Sequence, residues 1–343
     1  MTSTQPFSFR LDSGPGFGAL GRRSFHGRSP FLVVRAWDDR IECIRDGQVE
    51  THTGDPFDFL RTILDTCSDA QSIGDPPLRT GGMVGYLGYG LRQWIERVPV
   101  AAPDDLRLPD LWFGCYHDIG VTACDGDTDN APASLIRPAQ GNGEILPGDA
   151  TFTRPAYLDA VRKIKDYIIA GDVYQVNLAQ RFSYPFTDPA ILLHDRLHRI
   201  NPAPFAAYLD CGEFQVVSAS PERFLRFDPV SRTVETRPIK GTRPRGKSPE
   251  EDRKLAEALL ASSKDRAEHV MIVDLERNDI GRVCEIGSVH VPELLKLERH
   301  PSVWHLVSTV AGRMRADCDR IDLLRATFPG GSITGAPKIR AME

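Results

Sequence analysis

Apolar positions in the first third of the chain recur at spacings typical of both strands and helices. Residues 31–35 (FLVVR) and 41–44 are short apolar runs, which predict strands. In residues 56–66 the apolar side chains from Phe57 to Leu64 return every three or four positions. This spacing places them on one stripe and predicts an amphipathic helix.

The next two segments are rich in glycine but differ in their other residues. In residues 81–90 (GGMVGYLGYG) the glycines stand among aromatic and apolar residues. Because glycine lets two backbones approach closely, we expect a kinked strand in a sheet there rather than a phosphate-binding loop. Residues 125–150 form the most polar stretch, and they predict a boundary between an N-terminal region, 1–140, and a second region, 151–343.

After this boundary the pattern predicts elements with clear ends. Thr153 can cap a helix that Gly171 ends. Residues 174–182 alternate apolar side chains with polar ones such as Gln175 and Asn177. This alternation predicts a strand whose polar face meets either solvent or a polar cavity.

Two further strands and two helices follow in the same part of the chain. The strands are predicted over 215–220 and 232–240. Residues 248–251 (SPEE) form a capping box with proline at the first helical position, and a second helix is predicted over 264–275. Strands and helices mix without strict βαβ alternation, which favours a mixed α/β or α+β layer fold over a Rossmann domain.

Amino-acid composition limits the kinds of binding partner and the cellular compartment that the sequence indicates. The 343 residues are 41% hydrophobic and 26% charged, with a formal net charge of −5. This balance is that of an ordinary globular protein and argues against a nucleic-acid partner. No apolar run approaches the ~20 residues that a membrane helix needs, and no signal pattern opens the chain. The 7 cysteines lack metal-type spacing, which indicates reduced thiols and a cytoplasmic setting.

Lys240 is the first candidate for chemistry. It lies between Pro238 and Gly241 with arginines nearby. Its amine can act as a charge, as a hydrogen-bond donor or, where positive neighbours or burial lower its pKa, as a nucleophile. Local sequence alone leaves an ordinary surface lysine as the alternative.

Three acidic residues and a histidine are further candidates. Glu222 follows a predicted strand, where it can serve as a general acid or pair with Arg223. His305 lies in a half-apolar strand, where a satisfied core histidine is the alternative. Asp265 and Glu268 share one face of a predicted helix, which suits either Mg²⁺ or a solvated surface with basic partners.

A glycine-rich loop near the end of the sequence is a candidate anion site. Residues 328–338 (FPGGSITGAPK) lead into a helix start. Free backbone N–H groups at such a point can bind a carboxylate or a phosphate.

Taken together, six segments in order resemble the chorismate-utilising enzymes, a family that contains anthranilate synthase component I, aminodeoxychorismate synthase component I, isochorismate synthase and salicylate synthase. The segments are AGDVYQVNLAQRF, SASPERFL, ETRPIKGTRPRG, SKDRAEHVMIVDLERNDIGRV, HLVSTV and FPGGSITGAPKIRAME. The resemblance is dense from about residue 151 onward and looser before it.

Three positions relate the chain to one branch of this family. Anthranilate synthases usually carry alanine at the position of Lys240 and a different loop at residues 331–338. Both features resemble aminodeoxychorismate synthase component I. The water-using relatives carry a lysine base where this chain has Gln175, and an amide cannot deprotonate water.

The resemblance implies conversion of chorismate and ammonia to 4-amino-4-deoxychorismate, the precursor of 4-aminobenzoate in folate synthesis. Lys240 would add at C2 of the ring while Glu222, as general acid, assists departure of the C4 hydroxyl. Ammonia would then add at C4 and expel the lysine.

The resemblance also implies a cofactor and a partner. Mg²⁺ would bind the ring carboxylate, held by Glu268 with Asp265 at an outer position. A glutamine amidotransferase subunit would supply ammonia within a heterodimer. The substrate site would be lined by His305, Ser332, Thr334, Gly335, Gln175 and Thr242.

The fold implied is an anthranilate synthase component I-like α/β (α+β) sandwich of two large stacked sheets, with helices outside and the active site in a cleft. Chains of this family normally continue beyond the position of Glu343 with further substrate and Mg²⁺ ligands, so the sequence resembles a truncated form. We expect the 343-residue form to be weakly active or inactive. Normal turnover with chorismate, Mg²⁺ and ammonium would contradict this. Anthranilate synthase component I and a non-catalytic partner of the amidotransferase are the alternatives.

Overall fold

The computed structural model describes residues 6–14, 16–66, 72–73, 78–79, 81–99, 104–123 and 149–343. Nearly all of the predicted boundary at 125–150 lies outside the described residues. The division into 1–140 and 151–343 therefore stays a prediction.

Eight helices and 21 strands lie in the described ranges, together with short 3-10 turns at Gly18–Leu20 and Tyr89–Trp94. The helices are α1 (Pro56–Thr66), α2 (Arg154–Ala170), α3 (Ala190–Ile200), α4 (Pro249–Ala261), α5 (Ser263–Gly281), α6 (Arg320–Thr327), α7 (Gly331–Thr334) and α8 (Lys338–Met342). The strands are β1 (Phe9–Asp12), β2 (Arg23–Gly27), β3 (Leu32–Trp37), β4 (Arg40–Arg45), β5 (Gln48–Thr53), β6 (Ser72–Ile73), β7 (Leu78–Arg79), β8 (Gly82–Leu87), β9 (Leu111–Tyr116), β10 (Gly120–Ala123), β11 (Asp149–Ala150), β12 (Gln175–Val176), β13 (Phe182–Ser183), β14 (Phe205–Asp210), β15 (Gln215–Ser220), β16 (Arg223–Phe227), β17 (Thr233–Arg237), β18 (Ile239–Pro244), β19 (His290–Arg299), β20 (Val303–Arg313) and β21 (Gly335–Ala336).

Local sequence signals set the helix ends as predicted. The hydroxyl of Thr153 accepts a hydrogen bond from the backbone N–H of Ala156, and Gly171 ends α2 in a left-handed conformation with φ of 81°. Ser248 caps α4 in the same way by accepting from the N–H of Glu251. Only half of the predicted capping box forms there, because the Glu251 carboxylate accepts from the N–H of Lys247 rather than of Ser248.

Two strand predictions are wrong in extent. The predicted strand 174–182 is two short strands, β12 and β13, because its ends pair with different partners, β21 and β11. The predicted strand 232–240 is interrupted at Pro238, whose nitrogen carries no hydrogen for the ladder, and β18 continues to Pro244. The strand β16 was not predicted.

The strands form three five-stranded antiparallel sheets and three two-stranded pairs within the described residues. The first sheet has the order β10-β2-β1-β14-β15, and the second has the order β5-β4-β3-β9-β8. In the third sheet β16-β17-β20-β18 lie in order, and β19 pairs with the other side of β20. The first sheet combines strands from both predicted regions, since β1 pairs with β14.

The first and second sheets face each other across a shared apolar core that includes Phe9, Val33 and Trp112. Helices α1 and α6 cover the other face of the second sheet, where Leu60 and Ile321 are buried. Helix α5 packs on the third sheet. These contacts confirm the predicted mixed α/β fold with large stacked sheets. The sheets are antiparallel, and the described strands form three large sheets rather than two.

Glycine permits close backbone approach in the second sheet, as the sequence predicts. A Cβ at Gly85 of β8 would overlap the backbone carbonyl oxygen of Trp112 on β9. An overlap with backbone cannot be relieved by moving a side chain.

We expect Gly85→Ala to lower the free energy of unfolding by about 3 kcal/mol or more, because overpacking of this kind displaces a backbone. Gly281, at the end of α5, is the matched control, since a Cβ there meets no atom within 4 Å. Gly281→Ala should be neutral or stabilising by up to about 1 kcal/mol. Urea unfolding of both variants measures the difference, and equal stabilities would contradict the close approach.

Candidate functional site

A β-bulge places Lys240. The register between β18 and β20 pairs Ile239 with Val307 and Thr242 with His305. Two residues of β18 therefore stand opposite one of β20, and the second of them, Gly241, has a φ of +90°. A Cβ at Gly241 would lie 3.1 Å from a side-chain carbon of Leu259 on α4, so a larger residue would have to displace that side chain slightly as well as adopt the positive φ.

The bulge reverses which residues of this chain segment face the helices. Before it, the even-numbered Val234 and Thr236 are buried toward α5. After it, the odd-numbered Arg243 and Arg245 reach Asp265 of α5 and Asp252 of α4. One extra residue is sufficient for this reversal, because side chains alternate between the two faces of a strand.

The amine of Lys240 is held at the glycine-rich loop. Its Nζ donates a hydrogen bond to the carbonyl oxygen of Ser332 at 3.0 Å, and the residue is half-buried. The side-chain amide of Asn177 donates to the same oxygen at 2.8 Å. The Asn177 backbone N–H also donates to the carbonyl of Thr334, so the two segments are fixed to each other around Lys240.

Glu222 joins Lys240 at this point. Its carboxylate accepts hydrogen bonds from the Ser332 side chain and from the backbone N–H of Ile239. Burial raises the pKa of Glu222, although these hydrogen bonds and the charge of Lys240 act in the opposite direction. The alternative pairing with Arg223 does not occur, since Arg223 pairs with Glu235.

Gln175 and Gly335 lie beside this group through the short β12–β21 pair. A Cβ at Gly335 would overlap the backbone carbonyl oxygen of Gln175, and φ at Gly335 is +144°. The side-chain oxygen of Gln175 is buried and has no hydrogen-bond partner among the described residues. A buried amide oxygen in this state offers an acceptor to a ligand.

His305 and Thr242 form a second pair, across the β18–β20 ladder. Nδ1 of His305 lies 2.9 Å from Oγ1 of Thr242. Burial, with a further contribution from His300, lowers the pKa of His305 to about 4. The imidazole is therefore neutral at pH 7 and available as a hydrogen-bonding group rather than as a charge.

The two predicted metal ligands differ in their surroundings. The carboxylate of Asp265 is bound by the Arg243 guanidinium at 2.8 Å, and hydrogen bonds from Ser262 and from this guanidinium lower its pKa. Glu268 is half-buried and makes no ion pair with another described residue. Within residues 6–123 and 149–343, as far as they are described, no three His, Cys, Asp or Glu side chains are grouped to hold a metal. Glu268 therefore offers a carboxylate without an ion-pair partner, and Mg²⁺ commonly takes only one or two carboxylates from a protein. The Mg²⁺ role of Glu268 and Asp265 stays a prediction.

Several polar residues of the site were not predicted, because their partners are distant in sequence. His269 is fully buried, and its Nδ1 lies 3.1 Å from the carbonyl oxygen of Lys240. Glu276 accepts a hydrogen bond from Thr236 at 2.6 Å, and burial raises its pKa to about 8. The available signal for His269 was its position on the same predicted helix as Glu268, whereas Glu276 lies one residue beyond the predicted end of that helix.

An ion pair between α5 and the end of the loop completes the site. Nζ of Lys338 lies 2.5 Å from the carboxylate of Asp279, and the two side chains are 12% and 9% exposed. Lys338 also donates to the carbonyl oxygen of Thr327 at 3.1 Å. The loop that carries Ser332 is thus tied to the helix at one end and to Asn177 in the middle.

No helix of the described chain is both long and apolar enough to cross a bilayer.

Comparison with known proteins adds the following matches. Residues 27–343 match the family model described as chorismate binding enzyme. Anthranilate synthase component 1 of Thermus thermophilus is 46% identical over 98% of this chain and 76% of its own length. Aminodeoxychorismate synthase component 1 of Escherichia coli (strain K12) is 42% identical over 98% and 77%. The crystal structure of anthranilate synthase component I from Streptococcus pneumoniae TIGR4 matches with a TM-score of 0.76 and 30% identity, over 94% of this chain and 76% of that one.

The Asp279–Lys338 pair generates a stability prediction. Lys338→Met should lower the free energy of unfolding by about 3–5 kcal/mol, because Asp279 is left buried without a counter-ion. The double variant Asp279→Asn/Lys338→Met should recover most of the loss, as seen by urea unfolding.

The matched control is Lys254 on α4, which pairs with Glu250 at an exposed surface. Lys254→Met should change stability by less than about 0.5 kcal/mol. A Lys338 variant as mild as this control would mean that the buried pair does not hold the loop.

Proposed function

The chain belongs to the chorismate binding enzymes, and from this membership we propose that it converts chorismate and ammonia to 4-amino-4-deoxychorismate, as aminodeoxychorismate synthase component I does. The observation that carries the proposal is the convergence of Lys240 and Glu222 on Ser332. An amine and a raised-pKa carboxyl at one point supply the nucleophile and the acid that a two-step substitution of a ring hydroxyl uses.

In the proposed first step the Lys240 amine forms a bond to C2 of the ring. The two conjugated ring double bonds shift and the C4–O bond breaks, while Glu222 gives its proton to the departing hydroxyl so that water leaves. In the second step ammonia bonds to C4, both double bonds return to their original positions, and the C2–N bond to Lys240 breaks. Each step exchanges one nucleophile for one leaving group, and no oxidant is needed.

The raised pKa of Glu222 suits this role, because a carboxyl must carry a proton at working pH to act as an acid. The Ser332 carbonyl oxygen accepts a hydrogen bond from the Lys240 amine and so orients the proposed nucleophile. Gln175 provides an amide where a base would be needed to activate water, which favours ammonia as the nucleophile.

The proposal includes a cofactor and a partner. Mg²⁺, held by Glu268, would neutralise the ring carboxylate when bound. His305, Thr242, Thr334 and Gly335 would line the substrate site. A glutamine amidotransferase subunit would deliver ammonia within a heterodimer, in keeping with the designation of the E. coli relative as component 1.

Anthranilate synthase component I is the second candidate, favoured by the 46% identity to the T. thermophilus relative of that name. That reaction places the amino group at C2 and loses the pyruvyl group. Mass spectrometry of the product formed by the protein from chorismate, Mg²⁺ and ammonium separates the two. A product that retains the pyruvyl group supports the proposal, and anthranilate overturns it.

The covalent step predicts the effect of removing the amine. Lys240→Ala should reduce formation of 4-amino-4-deoxychorismate by at least about 10³-fold, since the nucleophile and its positioning are lost together. Lys264, exposed at the start of α5, is the control, and Lys264→Ala should keep the wild-type rate. Unchanged turnover in the Lys240 variant would remove the covalent step.

The acid role of Glu222 predicts both a rate and a pH profile. Glu222→Gln should lower kcat by about 10²–10⁴-fold. In the wild type the rate should fall as pH rises through the Glu222 pKa, because the acid is then ionised. This alkaline limb should be absent in the variant. The exposed Glu257 of α4 serves as control through Glu257→Gln, and a limb that persists in Glu222→Gln assigns the acid to another group.

A further inference from the structure

Strand β20 is flanked by one bulge in β18 and by two in β19, and the β18 bulge lies two residues along β20 from the nearer bulge of β19. On one side, Lys240 and Gly241 of β18 stand opposite Leu306 alone. On the other side, the register of β19 shifts so that two of its residues stand opposite Ser308 alone. The second of these, Leu295, has a φ of +55°, which is uncommon for a residue with a side chain.

A bulge leaves backbone groups without a partner in the ladder, and they must be satisfied elsewhere. His269 of α5 connects the β18 bulge to the nearer bulge of β19. Its Nδ1 lies 3.1 Å from the carbonyl oxygen of Lys240, and its Nε2 lies 2.6 Å from the hydroxyl of Ser308. The same hydroxyl accepts the backbone N–H of Leu295 at 2.9 Å. His269 and Ser308 are both fully buried.

The chemistry of the end groups fixes the direction of this chain of hydrogen bonds. A carbonyl oxygen only accepts, so Nδ1 of His269 carries the hydrogen that it donates to Lys240. Nε2 then accepts the hydroxyl hydrogen of Ser308. The oxygen of that hydroxyl accepts from Leu295, and each group of the chain is satisfied.

We propose that His269 is a positioning residue for Lys240: by binding the Lys240 carbonyl oxygen it holds the bulge that aims the amine at Ser332. The inference rests on the proposed role of Lys240 as the nucleophile. His269 acts on the backbone end of Lys240, while the Ser332 carbonyl binds its amine end at 3.0 Å.

Loss of this contact would leave the Lys240 carbonyl buried without a donor, and the strand would relax toward other partners. The amine lies at the far end of a long side chain, so a small backbone shift moves it by a comparable or larger distance. Misplacement of a reacting group by about 1 Å can cost about 10²-fold in rate.

Substitution of His269 by asparagine or by glutamine tests its two ring contacts, with Lys240 and with Ser308, one at a time. The amide nitrogen of asparagine takes the place of Nδ1 and keeps the bond to Lys240. The amide of glutamine reaches the place of Nε2 and keeps the contact with Ser308. His269→Asn should retain kcat within about tenfold, whereas His269→Gln should lose about 10²-fold, with KM for chorismate unchanged in both.

Thermal unfolding of both variants accompanies the kinetics. A merely structural role predicts that kcat follows the melting temperature, or that both variants lose activity alike, and either result overturns the proposal. Should a His269 variant not fold, Ser308→Ala replaces it. That change removes the hydrogen-bond partner of Nε2 of His269. We expect a lowered kcat at unchanged KM, and a wild-type kcat overturns the proposal.

A second readout needs no chorismate. Acetic anhydride acylates lysine amines, and the acylation rate of Lys240 can be followed by mass spectrometry of its peptide, with Lys264 as reference. The amine should be acylated several-fold faster in His269→Gln than in the wild type, because it is released from Ser332, and at the wild-type rate in His269→Asn. Equal rates in all three proteins overturn the positioning role. A wild-type protein that forms anthranilate overturns the proposed function instead, and leaves the acylation result to decide for His269.

Discussion

The extra residue that β18 inserts opposite Leu306 constrains the site more than any other feature of the fold. Regular alternation would continue to direct even-numbered residues at α5, as Val234 and Thr236 are directed. The bulge ends that series at Lys240, and the odd-numbered Arg243 reaches α5 instead. Because of this single inserted residue, β18 directs Lys240 at the loop that carries Ser332 and Arg243 at α5.

The β18 bulge costs free energy of folding, and the surrounding contacts offset that cost. A glycine at φ of +90° and a backbone carbonyl outside the ladder are both unfavourable in a half-buried strand. Buried polar groups with specific partners supply the compensation, as the Asp279–Lys338 pair does at the end of the loop. Because a buried pair is costly when either partner is removed, such contacts specify one arrangement of the loop more than they add stability.

Sequence periodicity predicted the elements whose stabilising contacts are local. The helix at 56–66 was predicted to the residue, and Thr153, Gly171 and Ser248 end their helices as their types require. The strand predicted over 174–182 was wrong because its alternation reflects two separate pairings, with segments on either side of it in the sequence. The role of His269 could not be predicted for the same reason, since its partners lie 29 and 39 residues away. The convergence of Lys240, Glu222 and Ser332 was expected only through resemblance to a family, because no local rule brings three distant segments together.

Overall identity does not distinguish the two candidate reactions, since relatives named for each are 46% and 42% identical to this chain. Identity is an average over positions that mostly maintain sheets and cores, where both reactions impose the same demands. In the proposed mechanism, the position of the new C–N bond depends instead on which group reaches the ring first. An amine at position 240 can occupy C2 and leave C4 to ammonia, whereas a methyl group at that position leaves C2 open. The half-buried setting of Lys240, beside a carboxyl of raised pKa and a carbonyl that orients the amine, is therefore a stronger argument for amination at C4 than a few per cent of identity is against it.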